Sequence, residues 1–200
     1  MGKRVRPHVN PLSIIEIFHF DGFGNDKPIF VDVGAFKGEF MEALAEQHPD
    51  HNFILFEIRR PIAEDLRKKF KVRDNCVVFH GDAGLNFRNI LEPCIKEGAL
   101  IKDIFINFPD PWFKDRHKKR RFVNEKFLQE TSEWIQDETR LIFQTDQKPL
   151  FDETREVIAV SPVSQIKLFY ESPYGLQTDW ESAKIEEGNK IYRMEFQKPN

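Results

Sequence analysis

IFVDVGAFKGEF, residues 29–40, holds the chain's fold in twelve letters. Ile29 to Val33 is a short apolar run interrupted only by Asp32, Gly34 and Gly38 punctuate the turn, and from Glu39 to Gln47 the apolar positions Phe40, Ala43 and Leu44 recur at helical spacing. A strand, a glycine turn and a helix in that order are the start of a crossover unit. The same alternation repeats downstream. Strands are expected at 52–58, 76–80, 101–108, 140–145, 165–170 and 190–196. Helices are expected from Pro61 to Phe70, from Val123 to Trp134 and from Phe151 to Ile158, and a segment carrying Leu85, Ile90, Leu91 and Ile95 lies between the strands at 76–80 and 101–108. The strands are apolar throughout instead of alternating, which predicts a mostly parallel α/β sheet with helices on both faces. The stretch from Ser172 to Asn189 reads as turn-rich, and residues 1–10 as a basic, loosely ordered arm.

At 200 residues one domain spanning 1–200 is the simplest reading. Cys76 and Cys94 are the only cysteines and both lie in or beside apolar runs, so a disulfide framework is not indicated. Neither a CxxC nor an HxxxH pattern is present, and no metal is expected. No apolar run approaches the roughly 20 residues of a membrane span, and the basic start is followed by no apolar run; a cytoplasmic protein, monomer or homodimer, is expected. The formal net charge of -3 argues against indiscriminate nucleic-acid binding, although affinity for phosphates depends on local charge.

Ligands in such sheets bind beyond the carboxyl ends of the strands. Those ends carry Asp32, Glu57, Asp82, Asp110 and Asp146. A carboxylate at Glu57 is placed to accept both hydroxyls of a ribose or, alternatively, merely faces solvent. A nicotinamide dinucleotide prefers GxGxxG, which GAFKG lacks, and Asp32 beside the turn disfavours a pyrophosphate. S-adenosylmethionine carries no phosphate and presents positive charge, so acids suit it, with Gly34 and Gly38 shaping the turn and Asp82 facing the adenine amino group.

Asp110 stands between Pro109 and Pro111, a stiff frame that presents a carboxylate at low reorganisation cost. Trp112 either stacks on a base or packs the loop. Then six of the eight residues from Lys114 to Arg121 are Lys or Arg, ahead of a helix whose dipole they oppose. A phosphate-bearing partner explains that placement better than a solvated helix start.

These segments resemble the bacterial tRNA (guanine-N7)-methyltransferase family. The resemblance runs from RVRPHVNPL (residues 4–12) through the glycine turn to the last strand, and is most specific in FPDPWFKDRHKKRR (108–121) and SPYGLQTDWESAKIEEGNKIYRMEF (172–196). It implies a Rossmann-like, seven-stranded S-adenosylmethionine-dependent methyltransferase fold and methyl transfer to N7 of guanine 46 in the tRNA variable loop. It implies donor binding through Asp32, Glu57, Asp82 and Asp110, with Asp110 as the active-site residue. It places tRNA or guanine contacts on Lys114, Asp146, Thr178, Asp179, Trp180 and Glu181, the basic residues Arg116, Lys118, Lys119, Arg120 and Arg121 extending that surface. Asp146 and Glu181 are the candidates for guanine's N1 and N2 donors. The chain departs from the family pattern at Phe36, where a glycine is usual, and at Phe113, where a proline is usual. Two alternatives stay open: a tRNA-binding protein whose donor pocket Phe36 has closed, and a small-molecule methyltransferase.

Overall fold

The computed structural model describes residues 10–11 and 15–199; the basic arm expected at the N-terminus lies, Asn10 apart, outside them. Among the described residues seven strands and six α-helices follow in the order β1 (Ile29–Val33), α1 (Glu39–Gln47), β2 (Asn52–Glu57), α2 (Arg60–Phe70), β3 (Cys76–His80), α3 (Ala83–Lys96), β4 (Ile101–Asn107), α4 (Glu125–Ser132), β5 (Arg140–Thr145), α5 (Lys148–Ala159), β6 (Gln165–Phe169), α6 (Asp179–Glu186) and β7 (Tyr192–Gln197). The strands form one sheet in the order β3-β2-β1-β4-β5-β7-β6. The first five pair parallel, and β7 is inserted antiparallel between β5 and β6.

Burial on both faces explains why the strands are apolar at consecutive positions. Ile29, Val31, Ile104, Ile106 and Phe143 pack under α3, α4 and α5, while Phe30, Leu55, Phe105 and Ile142 face the other way, toward α1 and α2. On that second face no helix follows β4 and β5 directly. The loop after β6 fills the gap instead: the ring of Tyr174 meets Phe30 at 5.4 Å and Phe105 at 6.1 Å. Its hydroxyl bonds Asp103, which Arg140 holds with two hydrogen bonds of 2.8 Å. Among the described residues no helix is long and apolar enough to cross a membrane.

Two elements differ from expectation. The turn-rich stretch after Ser172 contains α6, capped by the Thr178 hydroxyl, which accepts from the Glu181 amide at 3.1 Å. The helix expected at 123–134 begins only at Glu125, because the Asn124 side chain caps it by accepting from the Phe127 amide at 3.0 Å. The basic run therefore does not enter that helix. It forms its own 3-10 helix, Asp115–Arg120, so its charges oppose no α-helix dipole directly.

Candidate active site at the carboxyl edge of the sheet

Parallel pairing of β1, β2 and β4 brings Asp32, Glu57 and Asn107 to one edge, with the turn after β1 lying across it. Gly34 has φ +80°, a region that L side chains rarely adopt, and a Cβ built there would meet nothing within 4 Å. The turn thus opens onto free space beside the strand ends. Gly38 has a different reason to be glycine: a Cβ there would lie 2.7 Å from the Phe70 ring and 2.8 Å from Leu66. Gly38 lets α1 close onto α2; it is buried in packing and does not face the opening.

Asp32 is 3 % exposed and its carboxylate accepts from the Asn107 amide at 3.3 Å. Burial, with Glu57 nearby, pushes its pKa up to about 7, the Asn107 bond opposing the shift. From Asn107 a polar chain runs along the sheet edge. The Gln144 amide donates to Asn107 at 2.9 Å and to Glu181 at 3.3 Å, while its oxygen accepts from Arg193 at 3.2 Å. Glu181 is 0 % exposed, ion-paired with Arg193 and hydrogen-bonded by the Ser172 hydroxyl. Its carboxylate is spent on holding α6 to β5 and β7. To contact guanine, as the family resemblance implies, Glu181 would have to exchange these partners.

Glu57 is 1 % exposed and saturated. One oxygen accepts from the Arg59 amide and Nε, both at 2.8 Å; the other accepts from Arg59 Nη2 at 2.9 Å and from the Phe36 amide at 3.1 Å. Of the two sequence alternatives for Glu57, solvent-facing is excluded. Arg59, which the sequence reading passed over, also senses the charge of Asp110, and both carboxylates hold its guanidinium protonated. Phe36 sits at φ +50°, strained for a non-glycine residue, with its ring 5.2 Å from the Arg59 guanidinium.

Asp82 caps α3, accepting from the Leu85 amide at 2.8 Å, and burial raises its pKa. Asp110 is half-buried between Phe108 (φ +47°) and Trp112 (φ +43°), two strained positions on either side of the proline frame. Trp112 packs the loop: Arg120 lies 5.0 Å over its ring and His117 meets it edge-on at 5.7 Å. Asp146, half-buried, accepts from the Gln147 side chain at 2.6 Å. Asp179 is exposed and reaches Lys37 at 3.5 Å, drawing the start of α6 to the turn after β1; Trp180 is exposed, with Lys184 over its ring at 4.9 Å.

The six basic residues divide. Lys114, Arg116 and Lys119 are exposed. Arg120 lies on Trp112, and Lys118 and Arg121 pair with Glu153 of α5. Arg121 is turned inward with 11 % of its side chain exposed, which withdraws it from the expected RNA-facing set.

The residues present suit S-adenosylmethionine. Open space at Gly34 lies at the strand ends that carry Asp32 and Glu57, and carboxylates there suit a cationic ligand. Glu57 must exchange partners to take part.

A methyltransferase family model, described as "Putative methyltransferase", matches residues 26–194. The tRNA (guanine-N(7)-)-methyltransferase of Lactobacillus acidophilus is 33 % identical over 196 residues, covering 92 % of this chain and 87 % of that one. Its namesake in Clostridioides difficile is 32 % identical over 185 residues, covering 89 % and 84 %. Among solved structures, the 16S rRNA methyltransferase KamB superposes with a TM-score of 0.61 over 88 % of this chain and 90 % of that one, at 13 % identity. An antibiotic-related methyltransferase gives 0.59 over 87 % and 88 %, at 16 % identity. At such identities the structures speak for the methyltransferase fold alone, and the sequence relatives for the family. The chain belongs to the tRNA (guanine-N7)-methyltransferase family.

Proposed function

We propose that this protein transfers a methyl group from S-adenosylmethionine to N7 of a guanine in tRNA, at position 46 of the variable loop. The observation that carries this reading is the place of Asp110. It is held in a proline frame at the same sheet edge as Asp32 and Glu57, and the same loop runs on through exposed Lys114 into a short 3-10 helix bearing exposed Arg116 and Lys119. On this reading one loop carries both a carboxylate for the reacting centre and cations for phosphates.

The cofactor, when bound, supplies an electrophilic methyl carbon on a positively charged sulfur. Guanine N7 already has a lone pair, so the N–C bond forms as the S–C bond breaks and no proton leaves the base. A strong general base is not needed. The work left to the protein is alignment, exclusion of water and stabilisation of charge. Asp32 and Glu57 would hold the donor, and Asp82, which caps α3, would meet the adenine amino group. Asp110 orients and balances charge. Asp146 is the remaining candidate for guanine's N1 and N2 donors, since Glu181 is buried in its ion pair. Thr178 serves as the cap of α6 and places Asp179 and Trp180 at the rim.

The test is direct. Methyl-labelled S-adenosylmethionine and unmodified bulk tRNA are incubated with the protein, and the digested RNA is analysed for 7-methylguanosine. The expected result is label in that nucleoside, lost when G46 is replaced by A46 and reduced about 100-fold or more in Asp110→Ala. Binding of tRNA without methyl transfer overturns the reading in favour of a binding protein. Transfer to small molecules that is indifferent to salt overturns it in favour of the other alternative.

A further inference from the structure

Arg121 ends the basic run, yet its side chain leaves the surface. Its Nε donates to the carbonyl of Pro111 at 2.8 Å, and its Nη1 bonds the Glu153 carboxylate. Lys118 reaches the same carboxylate at 3.3 Å. Pro111 follows Asp110 immediately, in a stretch where two prolines have removed backbone donors. A planar guanidinium suits this position because its fork donates in two fixed directions at once, which an ammonium on a flexible stem does not. Glu153 lies on α5, the helix after β5, so the contact ties the loop after β4 to the neighbouring crossover. Pairing with Arg121 and Lys118 holds the Glu153 carboxyl below the usual range, as expected for a charge engaged with both.

We propose that Arg121 and Glu153 form a brace that fixes the Pro111 carbonyl and thereby the Asp110 carboxylate in register for methyl transfer, so that both are positioning residues and neither is an RNA contact. This rests on Asp110 standing at the reacting centre. The division of labour in the basic run follows: Lys114, Arg116 and Lys119 face outward for phosphates, while Arg121 acts inward. Glu153 sharpens the distinction. As an acid beside a phosphate-binding surface it disfavours RNA electrostatically, so its removal helps binding if surface charge is all that matters, and harms the reaction if the brace matters.

The experiment compares wild type, Asp110→Ala, Arg121→Ala, Arg121→Lys, Glu153→Ala and the Arg121→Ala/Glu153→Ala double variant. Single-turnover methylation of unmodified tRNA is measured at saturating donor and tRNA. Affinity for tRNA is measured at several KCl concentrations, affinity for S-adenosylhomocysteine by calorimetry, and folding by thermal melting. The brace predicts a saturated rate lowered roughly 10- to 100-fold in Arg121→Ala and in Glu153→Ala, as for a small misplacement of a catalytic group. The double variant is expected to be no slower than the slower single one, because the two act as a unit, and Arg121→Lys to be intermediate. Affinity for tRNA, its salt dependence and affinity for S-adenosylhomocysteine stay at wild-type values. The brace is overturned if Arg121→Ala keeps its saturated rate while tRNA binding weakens and the salt slope falls by about one contact. It is equally overturned if Glu153→Ala keeps its rate. Should Arg121→Ala fail to fold, Glu153→Ala decides, since that side chain is 40 % exposed and its loss opens no cavity. An inactive wild type sinks the methylation reading and the brace with it; an active wild type with unimpaired variants sinks the brace alone.

Discussion

The guanidinium of Arg59 grips both carboxylate oxygens of Glu57, at 2.8 and 2.9 Å, and the Phe36 ring covers that guanidinium from 5.2 Å. The carboxylate that the strand order offers to a ribose is therefore already satisfied by the chain itself. A ligand that takes Glu57 must replace charge-assisted hydrogen bonds and move a stacked ring.

Phe36→Gly removes the cover while allowing the same positive φ. The cation–π contact it abolishes is worth about 0.5–1 kcal/mol at a partly exposed site. Calorimetry with S-adenosylhomocysteine should then show roughly two- to fivefold tighter binding. Relief of backbone strain and the added freedom of glycine roughly cancel in stability, so the melting temperature should change little. Weaker binding would mean instead that the Phe36 ring itself contacts the ligand.

If Asp32 holds the donor as proposed, donor binding is expected to depend on pH. Burial raises its folded pKa to about 7, well above the usual carboxylate range. A raised folded pKa means that its contribution to stability is fully present below about pH 4 and is lost as pH climbs through 7. Cationic S-adenosylmethionine favours the ionised form, so binding between pH 5.5 and 7 should release protons and tighten as pH rises. Titrations in buffers of different ionisation enthalpy measure the release, and Asp32→Asn should abolish it. A pH-independent affinity in the wild type would remove Asp32 from the site.

Glu181 and Arg193 are a buried pair, so breaking it is costly. Glu181→Ala leaves the Arg193 charge uncompensated beside Gln144, and a loss of about 3–5 kcal/mol is expected in urea unfolding. A variant of wild-type stability that loses only tRNA methylation would instead restore Glu181 as a base contact.

The outward cations should appear in the salt dependence of tRNA binding. Replacing Lys114, Arg116 and Lys119 together by alanine is expected to lower the slope of log affinity against log salt by about 2 to 3. Binding of S-adenosylhomocysteine should be unchanged. An unaltered slope would place the RNA elsewhere on the surface.

The sheet was legible because each strand carries its own apolar run and each crossover its own punctuation; β1 and α1 lie where IFVDVGAFKGEF puts them. By contrast α6 was missed for a physical reason. DWESAKIE has no apolar stripe, its one buried side chain is Glu181, and the helix is held by an ion pair instead of a hydrophobic face. Helical periodicity cannot register such an anchor.

The amino-acid sequence by itself determined the order of elements, the acids at the strand ends and the stiff Asp110 loop, since all of these are local in the chain. Tertiary structure alone decided which charges are free. Arg59 on Glu57, Arg193 on Glu181 and Glu153 on Arg121 are fixed by how strands and helices bring side chains together. Composition counts six basic residues alike, whereas folding turns three of them outward and engages the others within the protein. The reason is that a charge finds its partner through space, across separations from 2 to 32 residues in these contacts, and only the packed sheet defines that distance.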